Sequence, residues 1–356
     1  MSGRIMIMAG GTGGHVFPGL AVADWLAAQG WQIHWLGTAQ KMEAKVVPAA
    51  GYPISFLSIS GVRGNGLLRL LKAPFSIIHA IWQARRAIKA FKPDVVLGMG
   101  GFASGPGGMA AWLCGIPLLV HEQNAVPGMT NKLLSRLARK VLSGFDQTFK
   151  PGAKVAWVGN PVRRNILPKP YRQIEGKVHV LVVGGSLGAK ALNELLPAHF
   201  AGLQNIEIRH QCGGGRLAEA TDAYRQHMGQ QNNWQVEEFI QDMGQAYAWA
   251  DLVICRSGAL TVSEIASSGL AAIFVPLPHA VDDHQTCNAQ VLVRANAAIL
   301  APQPSLTGEQ FKQTLMQLLH DPARLVEMGQ RALSQAKPDA TEKVAQYCKQ
   351  LAEQQA

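Results

Sequence analysis

The chain carries one short pattern twice: an apolar strand that runs into a glycine-rich turn and then a helix. The first copy is Ile5-Met6-Ile7-Met8-Ala9-Gly10-Gly11-Thr12-Gly13-Gly14-His15, and the second is Val180-Leu181-Val182-Val183-Gly184-Gly185-Ser186-Leu187-Gly188-Ala189. A strand that enters a helix through glycines leaves backbone N–H groups unpaired at the positive end of the helix dipole, where a phosphate or another anion is stabilised. Two copies predict two similar domains facing one cleft. At roughly 100 to 200 residues per domain, 356 residues suffice for two full cores.

Apolar runs predict strands near residues 4–9, 33–36, 95–98, 116–121, 141–143 and 155–158 in the first half. In the second half they predict strands near 178–183, 206–210, 252–255, 272–275 and 298–300. Strands that alternate with helical stretches and read as continuous apolar runs belong to parallel sheets covered on both faces, so each half is expected to be a doubly wound α/β domain. The first helix has Pro18 in its expected first turn, Leu20, Val22, Ala23 and Leu26 as core candidates, and Gly30 past its end. The segment from Asn160 to Pro170 holds three prolines and little periodicity and reads as the linker, dividing the chain into 1–162 and 163–339.

With 48% hydrophobic and 16% charged residues the chain is globular rather than disordered. Cys114, Cys212, Cys255, Cys287 and Cys348 form no C-x-x-C pair, which disfavours a zinc site or a disulfide framework and suits reduced thiols in a cytosolic protein. The N-terminal apolar run stops at Gly10, too short for a signal-peptide core, and no run of about 18 apolar residues predicts a membrane span.

The charge is uneven. Residues 1–162 hold 16 Lys and Arg against 5 Asp and Glu, a net +11, whereas residues 163–356 hold 17 against 18, a net −1. Between Glu43 and Asp94 there is no acid, while Arg63, Arg69, Lys72, Arg85, Arg86, Lys89 and Lys92 are interleaved with Leu67, Leu68, Leu70, Leu71, Phe75, Ile77, Ile78, Ile81 and Trp82. That mixture fits the headgroup region of an anionic bilayer, although a solvated helix packed by its apolar side gives the same pattern. Lys132, Arg136 and Lys140, spaced i, i+4, i+8, predict a second basic helix face.

A dinucleotide-binding oxidoreductase is the obvious rival. The first turn lacks the G-x-G-x-x-G spacing, and the second strand ends Trp35-Leu36-Gly37-Thr38 without the acid that holds a nicotinamide ribose. A third glycine cluster, Gly98 to Gly108, also follows a strand and serves either ligand binding or close packing. Polar groups gather at other strand ends: His121-Glu122-Gln123-Asn124, Arg256 through Glu264, and Asp282 through Asn288. Glu264, a few residues into a helix that begins near Gly258 or Ala259, could accept both hydroxyls of a ribose while amides of the same turn meet phosphate; a first-turn Glu that suits the helix dipole is the plainer explanation. Asn124 and Gln285 could orient sugar hydroxyls or serve as turn and cap residues.

Taken together, Gly10 to His15, His121-Glu122-Gln123-Asn124, Gly159-Asn160-Pro161-Val162-Arg163, Gly184-Gly185-Ser186, Arg256-Ser257-Gly258-Ala259 through Glu264, and Asp283-His284-Gln285 with Asn288 resemble the MurG family. Its members are UDP-N-acetylglucosamine:N-acetylmuramyl-(pentapeptide)-pyrophosphoryl-undecaprenol N-acetylglucosamine transferases of bacterial peptidoglycan synthesis. The resemblance spans nearly the whole chain, in order. It implies a GT-B fold of two Rossmann-like doubly wound parallel-sheet domains: an acceptor- and membrane-binding domain, 1–162, and a UDP-GlcNAc domain, 163–339, with a last helix at about 340–356 packing back on the first. Leu187 departs from the family's usual glutamine.

Carried over by position, the resemblance implies that Gly184-Gly185 and Ser186 meet the UDP diphosphate and that Ile240 meets the uracil edge. Ala259, Leu260, Thr261, Val262, Ser263 and Glu264 would hold the nucleoside and phosphates, Arg163 would balance diphosphate charge, and Asn124 and Gln285 would hold the N-acetylglucosamine. Thr12, Gly13 and Gly14 would close the site from the first domain. The implied partners are UDP-GlcNAc, the undecaprenyl-linked acceptor lipid I and anionic inner-membrane lipids, with no nucleic acid, and the implied location is peripheral on the cytoplasmic side of the bacterial inner membrane.

The reaction requires that the 4-hydroxyl of N-acetylmuramic acid lose a proton as it attacks the anomeric carbon and that UDP leave with growing negative charge. In-line attack on the α-linked donor inverts the centre. No D-x-D lies near the donor loops, so no metal and no cofactor is expected. His15 is the expected base, since a helix N-terminus biases an imidazole toward its neutral form; otherwise it orders the loop or contacts phosphate, and His121 and Glu122 stand in reserve. A UDP-sugar transferase or epimerase of other specificity, and a non-catalytic membrane-associated nucleotide-sugar binding protein, are the alternatives.

Overall fold

The computed structural model describes residues 3–59, 66–169, 173–185, 188–229, 231–278 and 283–354, with backbone alone over 66–73. The chain divides into two compact units, Met1–Arg163 with Lys337–Ala356, and Arg164–Ala336.

The first unit begins β1 (Arg4–Ala9), α1 (Gly13–Ala27), β2 (Gln32–Gly37), α2 (Glu43–Ala49), β3 (Ile54–Phe56) and α3 (Gly66–Phe91). It continues with β4 (Val95–Gly100), α4 (Ser104–Leu113), β5 (Leu118–Glu122), α5 (Met129–Leu137), β6 (Lys140–Ser143) and β7 (Val155–Trp157). All strand pairings are parallel, in the order β3-β2-β1-β4-β5-β6-β7. Both faces of the sheet are covered, which is why β1 is an unbroken apolar run. Ile5 and Ile7 pack under Val16, Leu20 and Leu26 of α1, while Met6 and Met8 pack on the opposite face against Ala84 and Ile88 of α3 and Ala110 of α4. Each fully buried side chain of this size contributes roughly 1.5–3 kcal/mol.

The second unit repeats the plan with β8 (Val178–Val183), α6 (Lys190–Phe200), β9 (Ile206–Gln211), α7 (Leu217–Met228), β10 (Trp234–Glu237), α8 (Met243–Trp249) and β11 (Leu252–Cys255). It ends with α9 (Ala259–Ser268), β12 (Ala271–Phe274), α10 (His284–Arg294), β13 (Ala298–Leu300), α11 (Glu309–Leu319) and α12 (Pro322–Ser334). Its parallel sheet has the order β10-β9-β8-β11-β12-β13. The last helix, α13 (Ala340–Glu353), belongs to the first unit, where Val344, Ala345 and Cys348 join the core that holds Ile5 and Val16.

In each sheet the strand order reverses beside the first strand of the unit, between β1 and β4 and between β8 and β11. Ligands of open α/β sheets bind outside the carboxyl ends of the strands at such a reversal. The Gly10 and Gly184 turns both stand there.

Three sequence expectations need correction. The strands β3 and β10 are absent from the apolar-run reading because both are short sheet edges, covered on fewer sides, with Ser55, Gln235 and Glu237 interrupting the run. The basic stripe Lys132, Arg136, Lys140 is broken: α5 ends at Leu137, Ala138 turns extended, and Lys140 opens β6 with its ammonium 4.8 Å from the Tyr347 ring centroid. Pro18 lies in the second turn of α1, because the helix starts at Gly13; there its missing N–H leaves the Gly14 carbonyl without the usual helical partner.

Candidate active site

In the first unit, missing side chains allow the two strand ends at the reversal to close on each other. Gly101, at φ +85°, lies so close to the Gly10 backbone that a Cβ would overlap the Gly10 carbonyl. A Cβ at Gly100, φ +111°, would stand 2.9 Å from Cε1 of His15. Here the third glycine cluster serves close packing against the first turn and seats the His15 ring.

The Gly10 turn already has an anion. Glu43, fully buried at the start of α2, accepts from the Gly11 N–H at 3.0 Å through Oε2, and from the Thr38 N–H at 3.0 Å and the Thr38 hydroxyl at 2.6 Å through Oε1. Past it, Thr12 is an extended N-cap without a side-chain cap bond, and Gly13 and Gly14 are the first helical residues, with amides that have no acceptor within the helix. The next residue is His15, whose Nδ1 lies 2.8 Å from Oε1 of Gln123.

The segment at the end of β5 is buried and fully engaged. His121 lies between the Gly159 carbonyl, 2.9 Å from Nε2, and the Gln123 amide nitrogen, 3.0 Å from Nδ1. The Glu122 carboxylate accepts from the Asn124 N–H and Nδ2 through Oε1, at 3.0 and 3.1 Å, and from the Gly128 N–H and Asn131 Nδ2 through Oε2, both at 3.0 Å. It thereby shapes the loop that carries Asn124. Arg163 ends the unit with its guanidinium 5.2 Å from the ring centroid of Phe17 on α1.

The Gly184 turn is framed differently. A neutral amide, Gln211, accepts from the Gly185 N–H at 2.9 Å and donates to the Gly185 and Glu238 carbonyls at 3.1 and 2.6 Å. Gly185 and Gly188 have φ of +83° and +71°, which only glycine adopts without strain, and a Cβ at Gly188 would overlap the Cys212 carbonyl. Ser186 and Leu187 lie outside the described residues.

Val183 is in register with Cys255 on the neighbouring strand, which brings the start of α9 beside this turn. Gly258 is an extended N-cap without a side-chain bond, so the amides of Ala259 and Leu260 point outward uncapped at the positive end of the helix. Farther along, Thr261 is half-buried, Val262 is in the core, and the Ser263 hydroxyl is turned back on the Ala259 carbonyl at 3.0 Å. Glu264 is buried, with Oε2 accepting from the Tyr247 hydroxyl at 3.1 Å. Gln285 accepts from the Leu277 N–H at 2.9 Å through Oε1, and Ile240 is half-buried in the loop between β10 and α8. Arg256 is a structural clamp, donating to the Val275 and Pro276 carbonyls, each at 3.0 Å.

The structure therefore gathers His15, His121, Glu122 and Asn124 in one unit, and Gly184, Gly185, Ala259, Leu260 and Glu264 in the other. Sequence reasoning assigned no part to Glu43, Gln211, Tyr247 or Gln123. A lone acid in a basic stretch was the available signal for Glu43.

Two buried histidines make the fold acid-sensitive. Burial pushes His121 down to about 4, against smaller upward pulls from the Gly159 carbonyl and the Glu122 carboxylate, and burial pushes His210 down to about 3. His210 is held between the Tyr224 hydroxyl and Asn193 Oδ1, each at 3.0 Å. Unfolded histidine titrates near 6.5, so the unfolded chain takes up these protons first; the stability is complete above that pH and falls as the pH drops toward the folded values. At pH 5 each histidine is expected to cost about 2 kcal/mol relative to neutral pH. Urea unfolding at pH 7 and pH 5 checks this, and equal midpoints would contradict it.

Comparison with known proteins follows the same division. Residues 5–143 match the glycosyltransferase family 28 N-terminal domain, and residues 179–344 match the family 28 C-terminal domain. A UDP-N-acetylglucosamine--N-acetylmuramyl-(pentapeptide) pyrophosphoryl-undecaprenol N-acetylglucosamine transferase of Pseudoalteromonas atlantica is 57% identical over 369 residues, covering 99% of this chain and 97% of its own. The transferase of the same name from Aeromonas hydrophila is 58% identical over 356 residues, covering 99% of this chain and 98% of its own. The crystal structure of Acinetobacter baumannii MurG aligns with a TM-score of 0.83 at 43% identity, over 98% of this chain and 99% of that one. The chain belongs to the MurG family. Its two Rossmann-like parallel-sheet units are those of a GT-B glycosyltransferase, and membership sets aside the nicotinamide-dependent reading of the glycine turns.

Proposed function

We infer that this protein is an inverting hexosyltransferase that moves N-acetylglucosamine from UDP-GlcNAc to the 4-hydroxyl of MurNAc in lipid I, giving the β-1,4-linked disaccharide of lipid II and free UDP. Beyond the full-length family match, the observation that carries the division of labour is the contrast between the two turns. A carboxylate, Glu43, sits on the Gly10 turn and repels a second anion, whereas the Gly184 turn is framed by neutral Gln211 and faces the uncapped amides of α9. The diphosphate is therefore assigned to Gly184, Gly185, Ser186, Ala259 and Leu260, with Arg163 adding positive charge. Thr261 and Ser263 line the nucleoside with Val262 packed behind them in the core, Glu264 accepts from the ribose hydroxyls, Ile240 meets uracil, and Asn124 and Gln285 meet the sugar.

The first unit takes the acceptor and the proton. His15 is the general base, and Thr12, Gly13 and Gly14 on the same turn close on the bound donor. His121 and Glu122 have both nitrogens and both carboxylate oxygens engaged in buried bonds, which leaves His15 the better-placed group. Purified protein with labelled UDP-GlcNAc and lipid I is expected to release one UDP per disaccharide formed. Donor binding without UDP release would favour the non-catalytic alternative.

The acceptor's lipid calls for a membrane-facing surface. On α3, Phe75, Ile78 and Trp82 are 77%, 65% and 52% exposed at i, i+3, i+7, and Arg86 stacks its guanidinium 4.7 Å from the Trp82 ring centroid. Trp112 and Leu113 of α4 and Met129 and Leu133 of α5 are exposed as well, with Lys132 and Arg136 among them. Arg63 lies outside the described residues, as do the side chains of Leu67, Leu68, Arg69, Leu70, Leu71 and Lys72. No helix of the described residues is long and apolar enough to cross a membrane. We assign this surface to anionic lipid on the cytoplasmic side of the inner membrane. The double substitution Phe75→Ser, Trp82→Ser is expected to reduce co-sedimentation with phosphatidylglycerol-containing vesicles at least tenfold, about 1.4 kcal/mol, while leaving UDP binding unchanged. Undiminished vesicle binding would remove α3 from the membrane surface.

A further inference from the structure

His15 does not stand alone on the strand-end face; it is the last member of a buried hydrogen-bond chain whose polarity can be read from one end to the other. At the far end, the Gly159 carbonyl can only accept, so Nε2 of His121, 2.9 Å away, carries a proton. The His121 ring is 0% exposed and burial keeps it neutral, so its Nδ1 presents a lone pair. The Gln123 group 3.0 Å from that lone pair must then be the amide NH2. The same NH2 also lies 3.1 Å from the His121 main-chain carbonyl, a second partner that can only accept, so the orientation of the Gln123 amide is fixed twice. Its backbone is held too, by Asn160 Nδ2 donating to the Gln123 carbonyl at 3.0 Å.

With the amide nitrogen committed to His121, the Gln123 oxygen is left facing Nδ1 of His15 at 2.8 Å. An amide oxygen cannot donate, so His15 Nδ1 must carry the proton, and in the neutral ring Nε2 carries the lone pair. Gly100, where a Cβ would stand 2.9 Å from Cε1 of His15 and 3.0 Å from Nδ1, leaves the ring its seat beside Gln123.

We propose that Gln123 and His121 are positioning residues that hold His15 as its Nδ1–H tautomer, so that Nε2 is the atom that receives the proton of the acceptor hydroxyl. The step balances within the proposed transfer: the hydroxyl O–H bond breaks as the new C–O bond forms, the proton moves to Nε2, and the bonding pair of the departing diphosphate leaves with UDP. The imidazolium that results still donates from Nδ1 to the Gln123 oxygen, so the chain serves the ring before and after transfer. The inference rests on His15 being the base and adds which nitrogen acts and what sets it.

The test is a two-bond 1H–15N correlation spectrum of protein labelled with 15N-histidine at a pH where His15 is neutral, with the His15 signals assigned by their loss in His15→Gln. Wild type is expected to show Nδ1 protonated and Nε2 bare. In Gln123→Met, which keeps the length of the side chain but loses the acceptor, the His15 signals are expected to move toward the mixed tautomers of free imidazole. Its kcat is expected to fall at least about 10- to 100-fold, the range for removing an outer partner that orients a metal-ligating histidine, with KM for UDP-GlcNAc unchanged. A wild-type spectrum with Nε2 protonated overturns the proposal whether or not the variant folds. Unaltered tautomer and kcat in a folded Gln123→Met protein overturn it as well. Normal turnover in His15→Gln would instead overturn the assignment of His15 as base, so the two failures are told apart.

Discussion

His15→Ala is expected to lower kcat about 10²- to 10⁴-fold with both substrates saturating, the usual contribution of a positioned general base, while the KM for UDP-GlcNAc changes little. At 1.36 kcal/mol per tenfold, this is roughly 3–5.5 kcal/mol of transition-state stabilisation. The effect should fall on kcat because the proton moves only in the transition state. His15 sits on the Gly10 turn, where Glu43 already supplies the negative charge, so its loss should leave diphosphate binding intact. A variant that turns over at near-normal rate would remove His15 from the chemistry. A variant whose loss appears wholly in donor KM would make it a phosphate contact.

The second large effect is expected at Glu264. Its carboxylate is buried within α9, with the Tyr247 hydroxyl donating to Oε2 at 3.1 Å. Hydrogen bonds to a charged acceptor are worth about 1.5–3 kcal/mol each, and a ribose offers two hydroxyls, so Glu264→Ala should reduce kcat/KM for the donor about 10²- to 10³-fold. Most of this should be lost donor affinity, with UDP itself weakened as a competitive inhibitor to a similar degree. Glu264→Gln, which keeps the shape and one carbonyl acceptor, should fall between. Since the substitution also removes the acceptor of the Tyr247 hydroxyl, thermal unfolding of the free variant separates a folding loss from a binding loss. Undiminished UDP affinity in a folded variant would place the ribose elsewhere.

The central strands were legible in the sequence because a parallel strand buried on both faces has to be apolar along its whole length, as Ile5 to Ala9 and Val178 to Val183 are. The edge strands β3 and β10 were hidden because a half-covered strand can hold Ser55 or Gln235 without penalty. The helix bearing Lys132 and Arg136 was overextended to Lys140 because spacing alone does not reveal that Ala138 turns extended. Glycine content alone does not distinguish the three loops. What separates them is long-range: Glu43 returns from α2 to occupy the first turn, Gln211 reaches from β9 to frame the second, and the third loop is consumed in contact with Gly10 and His15. The hydrogen-bond chain through Gln123 links residues as far apart in sequence as His15 and Gly159, and no local pattern encodes it.

A crystal structure of the protein with UDP-GlcNAc bound will show whether the two similar turns do different work. The diphosphate is expected against the Gly184–Gly188 turn and the amides of Ala259 and Leu260, with the ribose hydroxyls on Glu264 and no phosphate on the Gly10 turn. Phosphates seated on Gly11 to Gly14, with Glu264 away from the ribose, would reverse the roles assigned to the two turns.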